Sequence, residues 1–142
     1  MKLKTKHILN SLIRNTKQIK QVIDFTGLQN GKIHPTDIDS VLEFDNEVLI
    51  LIEVKYKYSK IPTGQKLVLE RICDSWHTNK SIVLYVEHNH VNDNENIPLH
   101  KCYVKNIYYK KQWQERKSVL LLNFLNNLGE YWDCEKLKFQ TI

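Results

Sequence analysis

The sequence contains no alanine, and only 4 glycines, 3 prolines and 3 cysteines among its 142 residues. Without alanine the strongest intrinsic helix former is missing, so any helix must be held by packing of an apolar face. Cys73, Cys102 and Cys134 are odd in number, widely spaced and form no CxxC pair. That excludes a disulfide scaffold and a cysteine-based zinc ribbon, and it points to reduced thiols in the cytoplasm. No apolar run approaches the ~18 residues that a membrane span needs; the longest is Val48 to Ile52. The basic start, Met1 to His7, has no apolar core behind it, so no secretory signal is expected. Neither GxGxxG nor GxxxxGK occurs, which leaves nucleotide-driven motor activity without support.

What is present describes a globular chain: 42% hydrophobic and 26% charged residues, a net charge of +5 and a pI near 9.0. With 142 residues it is expected to form a single domain over 1–142. Lysines outnumber arginines 18 to 3 and asparagine occurs 13 times, a bias expected of an AT-rich coding sequence. The charge is segregated. Residues 1–32 carry Lys2, Lys4, Lys6, Arg14, Lys17, Lys20 and Lys32 against one acid, Asp24. Residues 33–54 carry Asp37, Asp39, Glu43, Asp45, Glu47 and Glu53 with no Lys or Arg. Basic residues return at Lys55, Lys57, Lys60, Lys66 and Arg71, and again at Lys101, Lys105, Lys110, Lys111, Arg116 and Lys117. Carboxylates framed by lysines suit a metal-dependent enzyme acting on a polyanion; ordinary solvated charge is the competing explanation.

Periodicity predicts a helix over 6–25, a strand over 37–44, a turn at Asp45-Asn46 and a strand over 47–56, the two strands forming a hairpin. The run Val48–Ile52 is apolar on both faces, as in a strand covered by helices on each side. A helix from Pro62-Thr63-Gly64 to about Trp76 follows, with Thr63 as N-cap and Gln65, Leu69, Ile72 and Trp76 on one face. Ser81–Val86 reads as a buried strand, 88–97 as a loop and Lys101–Tyr109 as an edge strand. A last helix is predicted over 112–128, stopping at Gly129. The order α-β-β-α-β-β-α gives an α/β fold with a mixed central sheet of about four strands flanked by helices.

Asp37 and Asp39 open the first strand of the hairpin, and Glu53-Val54-Lys55 closes the second. Side chains two apart in a strand share a face, so Glu53 and Lys55 project together while Val54 points away. Folding at Asp45-Asn46 brings Asp39 level with Glu53. Two carboxylates so placed can share a Mg²⁺, a hard ion that takes oxygen ligands.

This arrangement resembles the PD-(D/E)XK nuclease superfamily over about residues 5–86, with the motif between Pro35 and Gln65. The resemblance implies a restriction-endonuclease-like core and Mg²⁺-dependent hydrolysis of phosphodiester bonds, with Mn²⁺ able to substitute. It makes Asp39, Glu53 and the Val54 carbonyl the metal ligands, with Asp37 the alternative aspartate, and Lys55 the catalytic lysine. Gln65 takes the place of a polar residue that many members carry early in the following helix. The expected partner is DNA, branched or structured DNA included and RNA not excluded, bound by a homodimer. Lys32, Lys57, Lys60, Lys66, Lys110 and Lys111 would hold the backbone, and Tyr56, Tyr58, Tyr108, Tyr109 and Trp113 could stack on bases. The alternative function is a catalytically inactive nucleic-acid- or protein-binding module on the same fold. Pro35 is not contiguous with either aspartate, and the first predicted helix has no glutamate. His88-Asn89-His90 is a tripeptide in an Asn-rich loop, not the dispersed ligand set of an HNH nuclease, and His34 precedes the motif alone.

Overall fold

A computed structural model describes residues 23–90 and 96–140. The chain falls into two compact units, residues 37–139 and residues 1–36 with 140–142. The helix expected over 6–25 lies almost wholly outside the described residues. In the described part of the smaller unit, Asp24 accepts hydrogen bonds from the backbone and hydroxyl of Thr26. Asn30 and Ile33 exchange backbone bonds around Gly31, whose φ of 61° suits glycine.

The larger unit is α/β. Its strands are β1 (Ser40–Phe44), β2 (Val48–Tyr56), β3 (Ser81–His88), β4 (Tyr103–Tyr109) and β5 (Gln112–Leu120). Its helices are α1 (Thr63–Ser75) and α2 (Leu121–Tyr131), with a short 3-10 turn at Leu99–Lys101. The five strands form one sheet in the order β1-β2-β3-β4-β5. Strands β2 and β3 run parallel, joined through α1, and the other neighbours are antiparallel. Residues Val48, Ile50 and Ile52 pack with Leu121, Leu125 and Leu128 of α2, whereas Leu49 and Leu51 pack with Leu69 and Cys73 of α1. The apolar run of β2 is therefore explained as expected: alternate residues serve helices on opposite faces.

The hairpin also forms as expected, because Asp45 and Asn46 adopt φ of 53° and 59°, the left-handed pair that two-residue turns require. Several assignments need correction, and the sheet has five strands where about four were expected. Thr63 does not cap α1; Pro62 occupies the N-cap without a side-chain bond, its fixed φ suiting a helix entry. Strand β4 is not an edge, since it pairs with both β3 and β5. Residues 112–120, expected as helix, form β5 instead, turned back on β4 by Lys110 and Lys111 at φ of 50° and 64°. The edge on that side of the sheet is β5, which exposes Glu115, Arg116 and Lys117, charges that discourage pairing with another sheet.

Gly129 does not stop a helix either. It lies inside α2, where an added Cβ would overlap the carbonyl oxygen of Leu137, so its role is close approach of two backbones. All three cysteines are free thiols, and burial raises the pKa of Cys73 and Cys102, which suits packing rather than reactivity. Among the described residues no helix is long and apolar enough to cross a membrane.

Candidate active site

The register of β1 on β2 pairs Ser40 with Ile52, so the next residues outward, Asp39 and Glu53, come side by side at the open end of the hairpin. The backbone N–H of Val54 donates to Asp39 Oδ2 at 2.7 Å, which fixes the aspartate before its strand begins. Glu53 is on the α1 face and only 1% exposed, the sole charged residue in the described core. A buried carboxylate without partners costs several kcal/mol. Two donors reduce that cost at one oxygen: Gln65 Nε2 lies 2.8 Å and Lys55 Nζ 3.2 Å from Glu53 Oε1. Glu53 Oε2 is buried without a hydrogen-bond partner among the described residues.

Burial, with the Asp39 carboxylate beside it, raises Glu53 from 4.5 to about 7, and Lys55 opposes the rise. The group is thus poised between protonated and ionised forms near neutrality. Lys55 is 26% exposed at its side chain, so one end of this cluster reaches solvent while the other is dry. Gln65 also approaches the Asp37 carbonyl at 3.5 Å, joining the start of α1 to the segment before β1. The expected helical face is intact: Leu69, Ile72 and Trp76 pack on the sheet in line with Gln65.

The expected site residues separate into two groups. Asp39, Glu53, Val54, Lys55 and Gln65 converge, with Asp37 exposed on the adjoining segment. Lys60 and Lys66 line a cleft of about 360 Å³ with Tyr85 and Trp113, and Tyr85 is the β3 residue opposite Glu53. Lys66 Nζ lies 5.0 Å from the Trp113 ring centroid, so the ring is already engaged by a cation. Lys57 follows β2 and is exposed. By contrast, Lys110 and Lys111 occupy the turn at the other end of β4, past Tyr108, whose β3 partner is Val83 rather than Tyr85. Lys32 belongs to the smaller unit, as does His34, whose ring Nδ1 lies 2.9 Å from the Pro35 carbonyl oxygen.

Half of the acidic island is structural. At the hairpin turn Glu43 accepts the Asn46 N–H at 2.6 Å, Asp45 pairs with Lys136 at 2.5 Å and Glu47 with Lys80 at 4.0 Å. Tyr108 is no stacking platform: its hydroxyl donates to the Asp74 carboxylate at 3.0 Å, and burial with that acid pushes the phenol up to about 12. Tyr58 is 85% exposed, with Lys57 Nζ 5.9 Å from its ring centroid.

Searches of protein-family models, curated proteins and solved structures gave no match. Among the described residues no three His, Cys, Asp or Glu side chains converge, so a cation here would draw on two carboxylates and backbone oxygen. The donors are all hard oxygens, and Glu53 Oε2 is a buried acceptor that a cation would satisfy. The residues fit a small divalent ion of the Mg²⁺ type and offer nothing to a thiophilic metal.

Sequence reasoning missed Tyr85 and Asn106, which continue the row of Glu53 across β3 and β4. The register between distant strands was the missing information, and no local pattern encodes it.

Proposed function

We propose that the chain is a Mg²⁺-dependent nuclease that hydrolyses phosphodiester bonds in DNA, on a restriction-endonuclease-like core. The observation that carries the reading is the buried Glu53 carboxylate, held by Gln65 and Lys55 beside Asp39 with one oxygen unpartnered. Generic surface charge would not be retained at 1% exposure without a function for it.

Each residue has a distinct task. Asp39, fixed by the Val54 N–H, and Glu53 supply the anionic oxygens that hold the cation, with the Val54 carbonyl as a further donor and Asp37 as a second aspartate within the same segment. Gln65 keeps Glu53 in the orientation that leaves Oε2 for the ion. Lys55, part buried and part solvent-reaching, positions the attacking water and neutralises charge developing on the phosphate. When bound, the ion polarises the phosphate and lowers the pKa of a coordinated water. Lys57, Lys60 and Lys66 flank the site and attract the backbone without reading bases.

The lack of a third acidic or imidazole ligand among the described residues favours a second reading, a binding module that has lost catalysis. One experiment separates the two: purified protein on supercoiled and branched DNA with Mg²⁺ or Mn²⁺ against EDTA. Cleavage that disappears in folded Asp39→Asn and Lys55→Ala variants supports the nuclease. Binding without cleavage under any metal leaves the module, and full activity in both variants would show that the site lies elsewhere.

A further inference from the structure

A second basic recess opens next to this cluster. It has a volume of about 280 Å³ and is lined by Lys57, Lys101 and Lys105 with His88 and Ser118; Glu87 is the one carboxylate among the described lining residues. The three lysines come from three separate segments, and each segment is anchored by backbone bonds. Lys57 N–H donates to the His88 carbonyl at 2.9 Å, continuing the β2–β3 pairing. Lys101 ends the 3-10 turn, its N–H donating to Pro98 at 3.0 Å, and the following Cys102 carbonyl accepts the first amide of α2, Leu121, at 2.8 Å. Lys105 lies where the β4–β5 register shifts, and its Nζ reaches Ser118 Oγ on β5 at 3.2 Å. His88 Nδ1 accepts the His90 N–H at 3.1 Å, which places the proton of the neutral ring on Nε2, a further donor.

The sheet register locates this recess relative to the candidate catalytic residues. Lys55 pairs with Glu87 on β3, and Glu87 pairs with Tyr103 on β4, the strand that carries Lys105. Two strand spacings separate Lys55 from Tyr103, roughly 10 Å, close enough for one nucleic-acid strand to lie over both. Three lysines lining one recess, with a hydroxyl and an imidazole donor, suit phosphate oxygens and offer little to an apolar ligand.

We infer that this recess is a phosphate subsite, which takes a backbone phosphate of the same DNA strand whose scissile phosphate lies at Asp39, Glu53 and Lys55. Its ligand rests on the nuclease reading above. The inference sets the direction of the strand: from Lys55 across the ends of β2 and β3 toward Lys101 and Lys105, away from the Lys110-Lys111 turn at the opposite end of β4.

The test is equilibrium binding of a short fluorescein-labelled DNA duplex to the full chain in EDTA, by anisotropy over a series of salt concentrations, so that binding is read without cleavage. For Lys101→Ala/Lys105→Ala we expect about tenfold weaker binding at moderate salt and a salt-dependence slope reduced by about 2, near one per lost phosphate contact. For Lys110→Asn/Lys111→Gly we expect an unchanged slope. Lys101→Glu alone, at an exposed position, should weaken binding further than Lys101→Ala, with an unchanged circular dichroism spectrum. An unchanged slope in the Lys101/Lys105 pair, a loss confined to the Lys110/Lys111 pair, or no DNA binding by the parent chain would each overturn the subsite. Mg²⁺-dependent cleavage with lysine-independent binding would overturn the subsite and leave the nuclease standing. Lysine-dependent binding with no cleavage under Mg²⁺ or Mn²⁺ would do the reverse.

Discussion

Replacing Glu53 with glutamine tests the central electrostatic claim without any substrate. In the folded chain burial and the Asp39 carboxylate raise this group from 4.5 to about 7. Between those values the native protein holds a proton that the unfolded chain has released. Stability therefore falls as pH rises through that window and levels off above it. At about 1.36 kcal/mol per pH unit, the full fall is about 3 kcal/mol, and between pH 5 and pH 8 it is about 2–3 kcal/mol. Glutamine has no proton to lose and keeps an oxygen that can accept from Gln65 Nε2, now 2.8 Å from Glu53 Oε1. The parent and Glu53→Gln should then be of similar stability at pH 5, with the variant about 2–3 kcal/mol ahead at pH 8. Urea unfolding followed by tryptophan fluorescence, in EDTA at both pH values, measures this double difference directly. Added Mg²⁺ at about 100 times its Kd should close most of that gap at pH 8, because it stabilises the parent by about 2.7 kcal/mol and the variant by far less. Parallel pH profiles for the two proteins would refute the burial argument; equal Mg²⁺ stabilisation of both would refute the ligand assignment.

The remaining predictions concern how the site is held. Asp39→Asn removes the like charge next to Glu53 and should lower the midpoint of the pH-dependent fall, read by the same unfolding series. In α2, Gly129→Ala should cost about 2 kcal/mol net, because an added Cβ overlaps the Leu137 carbonyl and outweighs the helix propensity gained. Gly64→Ala, with nothing within 4 Å of the added atom, should instead stabilise by about 0.5 kcal/mol; melting temperatures of the two variants moving in the same direction would contradict this contrast. Lys110→Asn/Lys111→Gly should stabilise by about 1–2 kcal/mol, since both lysines adopt positive φ that asparagine and glycine tolerate better; a lower urea midpoint would contradict it.

Which elements were readable depended on whether their determinants are local. The β1–β2 hairpin was visible because Asp45-Asn46 is a turn dipeptide between strand patterns, and the position of Asp39 opposite Glu53 follows from counting residues back from that turn. The face of α1 was visible because Gln65, Leu69, Ile72 and Trp76 repeat at helical spacing. Strand β5 was not. Its turn is built from two lysines, residues that carry no turn signal and reach positive φ only because pairing with β4 compels it. As an edge strand it is largely exposed, so the apolar alternation that marks a strand is missing from Gln112–Leu120, and Trp113 and Leu120 could be fitted into a helical pattern with α2.

The strand at 112–120 also fixes where two of the expected binding lysines lie. Lys110 and Lys111 were expected to hold a phosphate backbone because they belong to the basic block of residues 101–117. With 112–120 as a strand, the same lysines cap a hairpin whose other end carries Lys101 and Lys105. Antiparallel pairing makes the distinction sharp, because residues separated by a strand length lie at opposite ends of the sheet. The end that matters is set by β2, where Glu53 and Lys55 lie in the last four residues of a nine-residue strand, and by the parallel pairing that places His88 beside Tyr56. Parallel strands put their carboxyl ends on one edge, so whatever binds at Lys55 also faces the residues that follow β3 and those that enter β4. For the proposed nuclease, the lysines that would share a nucleic-acid strand with Glu53 are thus selected by strand direction rather than by closeness in sequence or by the local density of positive charge.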